Sequence, residues 1–179
     1  MKQPKLLNIL PECFVDTNLM EYLLKAGVNH QHCCSQVVNK LKTEFADKFA
    51  VGIIDKDKVE LGYIKECDEI ATTQHLTLMK HKKKCQYLIT IAPAVDGFIL
   101  DCAKEQGVDT ADFDIPSKLK AFTKISKSTT SNKDQRFKSL FKAIKDNNEI
   151  RNLKDSLKYL CDNEYNVNIE ILKETFTKE

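Results

Sequence analysis

The chain has no tryptophan, five glycines and four prolines among 179 residues. Without Trp, nothing in the sequence suggests an aromatic stacking platform. Five scattered glycines exclude the Gly-rich loop that cradles phosphates in nucleotide-binding folds. No Cys-x-x-Cys pair occurs among the seven cysteines, which argues against a zinc ribbon. No stretch approaches the ~18 apolar residues of a membrane span. The apolar run in Met1–Leu10 is too short for a signal peptide. An odd number of cysteines with no secretory segment is expected of reduced thiols, and so of a cytoplasmic protein. Charge is nearly balanced, 28 basic against 26 acidic residues, net +2, so any basic surface for nucleic acid must be local.

What is present is enough for a core: 42% of residues are hydrophobic, and the length suits one domain with a small addition. The informative stretch is Phe49-Ala-Val-Gly-Ile-Ile-Asp-Lys-Asp-Lys58. A continuous apolar run ended by polar residues reads as a buried strand of an α/β sheet. Side chains alternate along a strand, so Asp55 and Asp57 face the same way at its carboxyl end, where ligands gather in open α/β sheets. Two carboxylates there form a hard-oxygen site suited to Mg²⁺ or Mn²⁺.

The rest of the chain alternates in the same manner. Lys5–Leu10 reads as a strand closed by Pro11 and Glu12. Asp16 or Thr17 is expected to cap a helix to about Ala26, ended by Gly27. Val28–Gln31 reads as a short strand, and Ser35–Phe45 as a helix with Val37, Val38, Leu41 and Phe45 inward. Val59–Ile70 is expected to be helical despite Gly62. Leu76–Met79 reads as a strand, His81–Lys84 as a basic turn, and Tyr87–Ala92 as a strand or the start of a helix. Pro93 marks the first turn of a helix reaching about Gln106, stopped by Gly107. This order predicts a mostly parallel sheet flanked by helices over residues 1–125. Ile125–Lys133, polar and poor in core formers, reads as a linker. Residues 126–179 then form the linker and a helical appendage packed on the α/β domain, with Phe137, Leu140, Phe141 and Ile144 as an apolar face.

A second acidic group lies in Leu10-Pro-Glu-Cys-Phe-Val-Asp-Thr17. If the first strand neighbours the Phe49–Ile54 strand, Glu12 comes close to Asp55 and Asp57. Three carboxylates cannot stay ionised together unless a cation or a proton offsets them. That crowding argues for a divalent metal, with Asp16 available four residues beyond Glu12.

A strand ending in Glu, a helix, a short strand and helix, then a strand ending in Asp-x-Asp resembles the Toprim domain. This is the catalytic fold of topoisomerases, bacterial primases and the overcoming-lysogenisation-defect nucleases, and the match covers residues 5–100. In the nuclease branch another acid often follows the Glu by four residues, the place of Asp16. The resemblance implies a metal-dependent nuclease. Glu12 would be a metal ligand or general acid/base, and Asp55 and Asp57, with Asp16, would hold Mg²⁺ or Mn²⁺. Asp96-Gly-Phe-Ile-Leu100 resembles an acidic-then-apolar helix start of some defence-associated members. Cys13 stands where the family usually has Gly, and Cys33-Cys34 where a Gly commonly opens the second helix.

Phe14-Val-Asp-Thr-Asn-Leu also resembles the opening of a PIN-domain ribonuclease. Asp16 would then be the first metal ligand and Glu44 a second carboxylate. That alternative uses Asp55-Lys-Asp57 less naturally. Lys56, Lys58, Lys80, His81 and Lys82 are the candidate phosphate-binding residues. His30, His32, Cys33 and Cys34 crowd into five residues, a poor start for tetrahedral ligation, although either His could carry protons at neutral pH. Nucleic acid is the expected partner and a membrane is not. The alternative class is a non-catalytic module binding nucleic acid, a protein partner or a second copy through its helical tail.

Overall fold

A computed structural model describes residues 4–56 and 62–178. Strand β1 (Lys5–Leu6) and strand β2 (Ile9–Pro11) replace the single strand expected over Lys5–Leu10. Helix α1 (Phe14–Leu24) follows, then β3 (Gly27–Val28), α2 (Cys34–Lys42) and β4 (Ala50–Asp55). A 3-10 turn at Gly62–Glu66 leads into β5 (Cys67–Thr72), β6 (Leu76–His81) and β7 (Gln86–Ile91). The remainder is helical: α3 (Val95–Glu105), α4 (Leu119–Ser126), α5 (Gln135–Ala143), α6 (Asn148–Asn163) and α7 (Ile169–Phe176).

The fold is α/β, but the sheet is mixed rather than mostly parallel. Its order is β2-β4-β7-β6-β5. The first three strands are parallel, while β6 and β5 run antiparallel to their neighbours. The departure begins where a helix was expected over Val59–Ile70. Cys67–Thr72 is half polar, and only Cys67 in it is buried. Its hairpin partner β6 makes it a strand, an instance of tertiary pairing overriding local preference. Beside β2, the chain after β3 continues the parallel pattern, with Asn29 N donating to Ile9 O at 3.0 Å and Gln31 N to Pro11 O at 2.9 Å.

The two faces of the sheet are covered unequally. Val51 and Ile53 of β4 face a large core shared by α1, α3, α4, α5, α6 and α7, including Leu19, Phe98, Phe122, Phe137, Phe141 and Phe176. Ala50 and Ile54 face a smaller cluster with Val37, Val38 and Leu41 of α2. Gly52 lets α2 approach: a Cβ there would lie 2.9 Å from both Leu88 Cδ1 and Val37 Cγ1. The stretch read as a linker is tied to the core. The buried Asn18 amide donates to Ser131 O at 2.7 Å and Asp134 O at 3.2 Å, so a polar segment is held by the backbone bonds its own composition cannot supply.

Candidate acidic site at the carboxyl ends of β2 and β4

β2 and β4 are parallel neighbours, with Pro11 opposite Ile53. β2 stops at Pro11, and Glu12 N continues the ladder to Ile53 O at 3.0 Å. The next amide of β4 has no strand carbonyl to meet on that side, and the Glu12 side chain takes its place. Glu12 Oε2 accepts from Asp55 N at 3.1 Å. Asp55 Oδ1 in turn accepts from Val95 N at 2.9 Å, satisfying a first-turn amide of α3.

Helix α1 starts at Phe14, with Cys13 as its N-cap, so neither Asp16 nor Thr17 caps it. Asp16 lies in the first turn and reaches back, Oδ2 accepting from Cys13 N at 3.0 Å. That bond turns the carboxyl inward. Asp16 is fully buried, beside Glu12 at 1% and Asp55 at 7% exposure. Burial first, then the charge of Asp55, push the Asp16 carboxyl up to about 8; the Cys13 bonds pull down and Glu12 adds to the rise. Asp16 Oδ1 is buried with no hydrogen-bond partner, as is Asp96 Oδ1 in the first turn of α3. Burial, then Asp16, push the Cys13 thiol far up, which favours its protonated form.

The structure thus brings Glu12, Asp16 and Asp55 together. Asp57 and Lys58 lie outside the described residues. Lys56 is exposed immediately after Asp55. The sheet does not bring Lys80, His81 and Lys82 to the acids. Asp55 is level with Ile91, and Ile91 with Leu76, whereas Lys80 pairs with Tyr87 at the amino end of β7. Because β6 is antiparallel, its basic turn points to the opposite end of the sheet. There Lys80 Nζ bonds His81 O, buried His81 meets Glu66, and Lys82 Nζ bonds Lys65 O. Glu44 follows α2, pairs with Lys40 on the surface, and precedes the amino end of β4, away from Asp16.

The donor set suits a hard cation in kind: carboxyl oxygens, one of them on Asp16 buried and unpartnered, with burial and then the Asp55 charge raising the Asp16 pKa. Among the described residues, no group of three or more His, Cys, Asp or Glu side chains is arranged to hold a metal ion. Glu12 and Asp55 each turn an oxygen toward a backbone amide instead.

Sequence reasoning left His30 unplaced. It packs beside α1: Thr17 Oγ1 lies 2.7 Å from His30 Nδ1 and donates to Cys13 O at 2.7 Å. The signal was the Thr of Asp16-Thr17, whose hydroxyl faces the chain after β3. All seven cysteines are free thiols, and no described helix is long and apolar enough to cross a membrane. No family model matches the chain, and no curated protein or solved structure matches it either.

Proposed function

We propose that the chain carries out metal-dependent phosphodiester chemistry on nucleic acid, as a Toprim-type nuclease working at the carboxyl ends of β2 and β4. The observation that carries this reading is the shared burial of Glu12, Asp16 and Asp55, with Asp16 pushed up to about 8 by burial and its acidic neighbours. A group of carboxylates that crowded is costly for folding alone and useful once a cation offsets it. Asp55 and Asp16, with Asp57 two residues further along the sequence, would hold Mg²⁺ or Mn²⁺. When bound, the cation would polarise a phosphodiester and offset the charge that develops on it. Glu12 fixes the Asp55 backbone through its amide and would complete the shell or transfer a proton. Lys56, exposed directly after Asp55, would meet a phosphate.

The test is cleavage of single- and double-stranded DNA and RNA with Mg²⁺, then Mn²⁺, alongside calorimetric metal titration. Asp55→Asn keeps shape and removes one charge. Metal affinity should fall by more than the roughly 10- to 100-fold that loss of an outer-shell partner costs, and cleavage should fall with it. Equal activity in wild type and Asp55→Asn would overturn the reading.

One observation favours a second reading. Glu12 and Asp55 both serve as backbone ties, from β2 to β4 and from β4 to α3. That use suits a non-catalytic module that keeps the fold and binds nucleic acid, a protein partner or a second copy. Absence of metal binding by the wild type would select it.

A further inference from the structure

Three rings stand together at the amino end of α1, the helix that carries Asp16, although the sequence carries no Trp. Phe14, between Glu12 and Asp16 in the chain, stacks on His30 with centroids 4.5 Å apart and planes at 24°. His32 packs edge-on against His30 at 4.8 Å, and lies 6.1 Å from Phe14. Phe14 and His30 are half-buried and His32 is exposed. The His30 ring is locked. Thr17 Oγ1 donates to Cys13 O and lies 2.7 Å from His30 Nδ1, a contact that holds the ring plane. Burial, then the neighbouring His32, lower the His30 pKa from its ordinary value, against a smaller rise from the Cys13 backbone. The chain carrying it is pinned to β2 by the amides of Asn29 and Gln31. His32 N donates to Gln36 Oε1 at 3.2 Å, and α2 begins two residues later.

We propose that Phe14, His30 and His32 form a base-stacking shelf that receives an unpaired nucleobase next to the acidic site, so that the preferred ligand is single-stranded nucleic acid or an unpaired end. The inference rests on the nucleic-acid part of the proposed function. Every base has a π-face, and stacking on protein rings does not require a given sequence. A ring plane set in advance lowers the cost of ordering on binding. The first turn of α2 beside His32 favours a phosphate next to the stacked base. A paired base has no free face to offer, which is where the discrimination arises.

The test uses a short single-stranded oligonucleotide carrying 2-aminopurine, in EDTA, so that no metal is needed. Wild type should bind it and quench its fluorescence. It should bind a blunt duplex of the same sequence, or an abasic strand of equal charge, more weakly. Phe14→Leu keeps an apolar side chain and removes the ring; it should lose the quenching and about 5- to 150-fold in affinity. His32→Gln, at an exposed position that cannot threaten folding, should show a smaller loss in the same direction. Unchanged melting temperatures keep the comparison clean. Absence of quenching by wild type, or equal binding and quenching by His32→Gln and Phe14→Leu, overturns the shelf. If the shelf passes while Mg²⁺ and Mn²⁺ do not bind, the metal reading fails alone. If cleavage requires metal and both ring variants behave as wild type, the shelf fails alone.

Discussion

His75 and Asp16 are buried ionisable groups at the same end of the sheet, and their surroundings are opposite in sign. His75, at the start of β6, lies between two carboxylates. Its Nδ1 pairs with Glu149 at the start of α6, and its Nε2 lies 3.2 Å from Asp101 on α3. Glu149 also accepts from His75 N at 3.0 Å and from the Thr73 hydroxyl. Burial lowers the His75 pKa, but Glu149 and then Asp101 outweigh it and leave the group raised. Asp16 instead has two further carboxylates, Asp55 and Glu12, for neighbours, and both add to the rise that burial causes. One region is a completed ion pair joining the β5–β6 hairpin to α3 and α6. The other holds like charges together. Completed pairs are what a scaffold retains, while buried like charges held close together, with a strongly shifted acid among them, are common at functional sites.

The largest effect should come from breaking the completed pair. Glu149→Ala removes the acceptor that His75 Nδ1, the His75 amide and the Thr73 hydroxyl share in a buried place, and leaves Asp101 alone at His75 Nε2. A stability loss of about 3–5 kcal/mol is expected, read by denaturant unfolding. A loss below ~1 kcal/mol would mean that the pair holds little.

Asp16→Asn should do the reverse. The Asp16 pKa is raised on folding, so below about pH 4 the acid costs nothing extra, and stability falls as pH rises toward about 8. The slope is at most about 1.4 kcal/mol per pH unit. Asn removes the charge and keeps an oxygen for Cys13 N. Asp16→Asn should therefore match wild type near pH 4 and exceed it increasingly as pH rises, by at least ~1 kcal/mol at pH 8, the drop over one pH unit at close to that slope. A mutant less stable than wild type at both pH values would show that the acids are not crowded in solution. Saturating Mg²⁺ should shrink the difference at pH 8 if the site binds it.

The smallest effect is that of pH on the pair itself. The His75 pKa is raised on folding, so its contribution is complete below the unfolded value near 6.5 and is lost as pH rises through the folded value. Replacing Glu149 by Gln should flatten that part of the pH–stability curve by about 1 kcal/mol. An unchanged curve would assign the slope to other groups.

Much of the parallel half was legible because its signals are local. The β4 run Ala50–Asp55, the α1 and α2 stripes, and the Pro93-led start of α3 need no distant partner to be read. The adjacency of Glu12 and Asp55 was readable too, from two strands that each end in an acid. The antiparallel half was not. Cys67–Thr72 has strand form because β6 lies beside it. The direction of β6 then carries Lys80, His81 and Lys82 away from the acids. Nor did composition show that Asn18 would tether residues 131 and 134.

By itself the sequence determined the α/β alternation and the buried β4 strand, since a strand's burial on both faces is written in consecutive apolar residues. It determined too that acids stand at strand ends. The tertiary structure alone decided which charges meet. It set Asp16 inward through the Cys13 amide, gave His75 two carboxylates from two different helices, and put Phe14, His30 and His32 into one group. The physical reason is that a side chain's electrostatic and stacking neighbours are fixed by register and strand direction. Those depend on pairing between segments far apart in the chain, and no local run of residues encodes them.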